Sequence, residues 1–60
     1  MTKKIYSYLS WRMNNILNEN DEAVVRLLAQ EISNRFGIKL PKAYMHVYEV
    51  LRRRGNTIIK

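Results

Sequence analysis

The sequence predicts an all-α fold, a three-helix bundle followed by a short C-terminal strand or extended tail. Apolar residues recur at three- and four-residue spacing in three separate runs, the signature of amphipathic helices. Two glycines, Gly37 and Gly55, close the second and third runs, and the single proline, Pro41, opens the third. At 60 residues the chain makes one domain, 1–60, with a small core.

The first run extends from about Lys3 to Leu17. At 3.6 residues per turn, Ile5, Leu9, Met13 and Ile16 share a stripe with Tyr6 beside it. Tyr8 and Trp11 project away from that stripe, on the side that carries Lys4. The polar stretch NENDE then breaks the pattern. Asn20 or Asp21 is suited to cap the next helix, and Asp21 and Glu22 complement its positive dipole end.

The second helix runs from about Glu22 to Phe36, with Val24, Val25, Leu28, Ile32 and Phe36 inward and Arg26, Gln30 and Ser33 outward. Gly37 fits the left-handed position that ends many helices. The third helix begins near Pro41, where a missing N–H costs nothing. Its inner stripe is Ala43, Tyr44, Val47, Val50 and Leu51, and Gly55 ends it. The remainder, NTIIK, is rich in β-branched residues and reads as a strand or extended tail.

Small scaffolds lean on disulfides, a metal or a partner chain. There is no cysteine, and His46 is the only histidine, so thiolate and multi-histidine metal sites are excluded and no cofactor is implied. By elimination the sequence points to a homodimer. No segment approaches the roughly 18 apolar residues of a membrane span, and no signal-peptide pattern is visible, so a cytoplasmic protein is expected. Four of the five acids lie between Glu19 and Glu31, the fifth is Glu49, and no glycine-rich phosphate loop exists. Nothing suggests an enzyme or a small-molecule substrate.

The net charge of +6 is unevenly spread: +3 over residues 1–18, −2 over 19–36 and +5 over 37–60. Such a field favours a polyanionic partner, nucleic acid first.

The segment EISNRFGIKLPKAYMHVYEVLRRRGNTII resembles the helix-turn-helix core of winged-helix regulators over roughly residues 31–59. Gly37-Ile38 would open the turn, Ala43, Val47 and Val50 would hold the recognition helix inward, and Gly55 with Thr57 to Ile59 would lead into a truncated wing. Ser33 stands where many members carry alanine, and Leu40-Pro41 where Thr or Ser often begins the helix. The resemblance implies a small dimeric DNA-binding regulator, associated with the nucleoid and reading the major groove of double-stranded DNA with its third helix, and the compactness of the chain alone suggests the kind that viruses and plasmids encode. Lys39, Lys42, Met45 and His46 would then approach base edges. Arg52, Arg53 and Arg54, with Lys3 and Lys4, would meet phosphates. Tyr8, Trp11, Ile58 and Ile59 are candidates for a dimer or partner interface. Two other functions fit the same charge and aromatics. One is a helical inhibitor or adaptor that grips an acidic protein. The other is an architectural or single-strand binder that stacks bases on Tyr8, Trp11 and Tyr48.

Overall fold

The computed structural model describes residues 3–16, 18 and 21–55, and these form three α-helices. They are α1 (Lys3–Asn14), α2 (Glu22–Phe36) and α3 (Leu40–Arg53). There is no strand among the described residues, and the NTIIK segment, with Ile58 and Ile59, lies outside them.

Helix α1 stops earlier than its apolar stripe. Asn15 places its side-chain amide on the Trp11 carbonyl at 2.8 Å, taking the acceptor its own backbone N–H would need to continue the helix. The Asn15 N–H turns to Arg12 O instead, and Ile16 N–H to Met13 O, three residues back in each case. Ile16 still packs against the core.

Helix α2 has the boundaries its caps dictate. The Asp21 carboxylate accepts from the Ala23 N–H at 2.8 Å. At the other end Gly37 takes φ 65° and ψ 36°, and its N–H reaches Ser33 O. The Ile38 N–H also reaches Ser33 O, while the Ser33 hydroxyl donates to Ile38 O at 2.7 Å. Ser33 was expected to face solvent. It is half-buried because it ties both sides of the turn together. Three residues, Gly37, Ile38 and Lys39, separate α2 from α3. Pro41 occupies the first turn of α3, and Lys39 caps it without a side-chain bond.

One core joins the helices: Ile5, Leu9 and Met13 from α1, Val25, Leu28, Ala29 and Ile32 from α2, and Ala43, Val47, Val50 and Leu51 from α3. Each fully buried Leu, Ile or Val contributes about 1.5–3 kcal/mol. The closest association is between α2 and α3, where buried Ala29 and Ala43 carry nothing beyond Cβ to hold the backbones apart. Tyr44 and Phe36, read as core, are half-buried and pack on its edge. Among the described residues no helix is long and apolar enough to cross a membrane, and no cluster of His, Asp and Glu is placed to hold a metal ion.

Candidate nucleic-acid interface

The outer surface of α3 divides lengthwise, because its residues fall on two sides of the line opposite the core. One side carries Tyr44 and Tyr48, whose rings stack at 6.3 Å and 29°. The other carries Lys42, His46, Glu49 and Arg53. These four, with Met45 on the dividing line, line a shallow groove. Lys42 and Arg53 are exposed, and Met45 is 64% exposed, so the face opposite the core is uncovered in the monomer.

The groove brings three base-edge candidates, Lys42, Met45 and His46, to one phosphate candidate, Arg53. Partial burial, followed by nearby positive charge that includes Lys42, lowers the His46 pKa below its ordinary value. The imidazole is therefore neutral near pH 7, with one nitrogen to donate and one to accept. Lys39 is exposed at the helix start, outside the groove.

The arginine run differs from its sequence reading. Three adjacent arginines would repel unless an anion is near, and the anion comes from the same helix. Glu49 receives Arg52 on one carboxylate oxygen and Arg53 on the other, the latter at 3.1 Å. The two arginines hold the Glu49 carboxyl below its usual range. The spacing signal was present, since Glu49 precedes them by three and four residues. Both arginines stay exposed, with Arg52 at 74%, and the guanidinium of Arg53 also lies 5.7 Å from the centre of the Tyr6 ring. Arg54 is half-buried at the helix cap, where its N–H bonds to Val50 O and Leu51 O.

The aromatic pair of α1 keeps its rings 5.9 Å apart, but the two residues differ in exposure. Trp11 is 58% exposed, in line with its outward placement. Tyr8 is not outward: its hydroxyl donates to Glu31 at 3.0 Å, and its ring meets Phe36 edge-on at 6.0 Å. Tyr8 lies close enough to the apolar stripe to be drawn over the edge of α2 by those partners. The same Glu31 receives Nε and Nη2 of Arg12, each at 2.9 Å, in a bidentate pair that links α1 to α2. Arg12 holds the Glu31 carboxyl below its usual range, assisted by the Tyr8 hydrogen bond, and burial pushes the Tyr8 hydroxyl up. Sequence periodicity carried no sign of this network, whose members are 19 and 23 residues apart. Lys3 and Lys4 are exposed in the first turn of α1. No family model, no curated protein and no solved structure matches the chain.

Proposed function

We propose that this chain is a small DNA-binding domain that lays α3 in the major groove of double-stranded DNA and regulates transcription by occupancy. The observation that carries this reading is the uncovered groove of α3, in which Lys42, His46, Arg53 and the exposed Met45 meet beside Glu49. Lys42 and His46 can donate to guanine acceptors, and Met45 can contact a thymine methyl. Arg52 and Arg53 stand about two turns beyond His46, suited to backbone phosphate. The helix, three-residue turn and helix from Glu22 to Arg53 suit a helix-turn-helix reader, in which the second helix is the one presented to the groove. Trp11, exposed on α1, supplies an apolar contact for a dimer. Such a dimer would place its two α3 helices about 34 Å apart, one turn of duplex.

Duplex binding measured across a salt series tests the reading. The logarithm of affinity should fall with the logarithm of salt by about 0.9 for each phosphate contacted. Arg52→Ala with Arg53→Ala should weaken all duplexes alike, and Lys42→Ala should shift sequence preference. Sedimentation should show a dimer that Trp11→Ala dissociates. Affinity indifferent to salt refutes the proposal, as does a stoichiometric protein partner that survives nuclease in place of DNA. Equal affinity for unrelated single strands would instead point to base stacking.

A further inference from the structure

A second basic surface lies outside the α3 groove, around the amino-terminal end of α1. Going round that helix at 3.6 residues per turn, the outer residues come in the order Tyr6, Lys3, Ser7, Lys4, Tyr8. Each flanking tyrosine meets an arginine from a different helix. The Arg53 guanidinium of α3 lies 5.7 Å from the Tyr6 ring centre, and the Arg35 guanidinium of α2 lies 4.8 Å from the Tyr8 ring centre. Lys3, Ser7 and Lys4 thus sit between two arginines. Lys3, Lys4, Ser7, Tyr8, Arg35 and Phe36 line one depression, and none of them is acidic.

The charges here are arranged for an anion. No carboxylate pairs with Lys3, Lys4 or Arg35 among the described residues. Glu31, whose charge Arg35 helps to stabilise, already holds Nε and Nη2 of Arg12 and the Tyr8 hydroxyl. Contact with the Tyr8 ring restricts the Arg35 guanidinium before a ligand arrives and leaves its N–H edge able to donate. Ser7 is exposed and adds a hydroxyl. Helix α1 has no acid in its first turn, so nothing there opposes the positive end of its dipole.

We infer that Lys3, Lys4, Ser7 and Arg35 form a binding cradle for a backbone phosphate of nucleic acid. Through Tyr6 and Arg53 the cradle is continuous with the α3 groove. It extends the footprint of one bound duplex from the base-reading helix to the far end of α1, and so rests on the function proposed above. Because the contact is to phosphate, it strengthens binding without adding sequence preference.

The test compares the salt dependence of duplex binding for the wild-type chain, Arg35→Gln, Arg35→Lys, and Lys3→Gln with Lys4→Gln, each first checked for an unchanged thermal melt. Arg35→Gln should lower the log–log slope by about 0.9, the value for one phosphate contact. Arg35→Lys should keep the slope, and the double lysine change should lower it by the same amount as Arg35→Gln. Relative affinities for different duplex sequences should be the same in all four proteins. Unchanged slopes in the glutamine variants, while Arg52→Ala with Arg53→Ala still weakens binding, overturn the cradle and leave α3 docking intact. If only single strands bind, and Arg35→Gln lowers that slope, the cradle stands and major-groove docking falls. If no nucleic acid binds the wild-type chain, both fall.

Discussion

Two glutamates in this small protein each hold arginine, and they do different things. Glu31 joins helices distant in sequence: its carboxylate receives Arg12 bidentately and also Tyr8, with the paired side chains only 25% and 28% exposed. Glu49 holds Arg52 and Arg53 of its own helix, on an open surface. The first arrangement ties α1 to α2, the two helices whose backbones approach each other least. The second moderates positive charge on the face proposed for DNA. The lesson is that an ion pair should be judged by what it connects and how dry it is, because exposed local pairs stabilise little.

Substitutions can break that comparison, beginning with the greatest effect. Glu31→Ala leaves Arg12 and Tyr8 without their acceptor and should destabilise the fold by about 1–3 kcal/mol, read from chemical denaturation. A double-mutant cycle with Arg12→Ala should return a coupling of about 0.5 kcal/mol or more. Additive losses would show that the pair does not connect the helices.

Acid should reach the same link. The folded Glu31 pKa lies below its unfolded value, so the pair's contribution is complete above about pH 4.3 and is lost as pH falls through the folded pKa. Melting followed from pH 6 to about pH 3 should therefore drop more steeply in the wild-type chain than in Glu31→Gln. Parallel profiles would contradict this role.

Tyr8→Phe removes one hydrogen bond and keeps the ring against Phe36 and Arg35, so a loss of about 1 kcal/mol is expected. The smallest stability effect belongs to Glu49→Gln, which should leave the melt unchanged. Its effect should appear in binding, since two arginines lose their local anion: duplex affinity at low salt should rise and its salt dependence steepen. Unchanged affinity would detach the arginines from the docking surface.

Much of the fold was legible because helix boundaries are written locally. Asp21, Gly37 and Pro41 mark the ends of α2 and the start of α3 by their own chemistry, and the buried stripes follow from spacing. The end of α1 was misread as Leu17 because the pattern continues through Ile16, while the stop comes from one Asn15 side chain bonding to Trp11 O. Ser33 and Tyr8 were placed outward because an outward angle was the only information available. Their true positions depend on Ile38 and on Glu31, partners that helical periodicity does not reveal. Of the candidate interface, Lys42, Met45, His46 and Arg53 were legible as one face of one helix. Arg35 was missed because its place beside Lys3 and Lys4 arises only when α1 packs against α2.

The central claim is that duplex DNA meets α3 on the side carrying Lys42, Met45 and Arg53, and amide chemical-shift mapping with a short duplex tests it most directly. The expected shifts are confined to Lys39–Arg54, the first turns of α1 and Arg35 at the end of α2, with Leu27 and Gln30 on the outer side of α2 unmoved. Shifts centred on Trp11 and Leu27, with α3 silent, would contradict it.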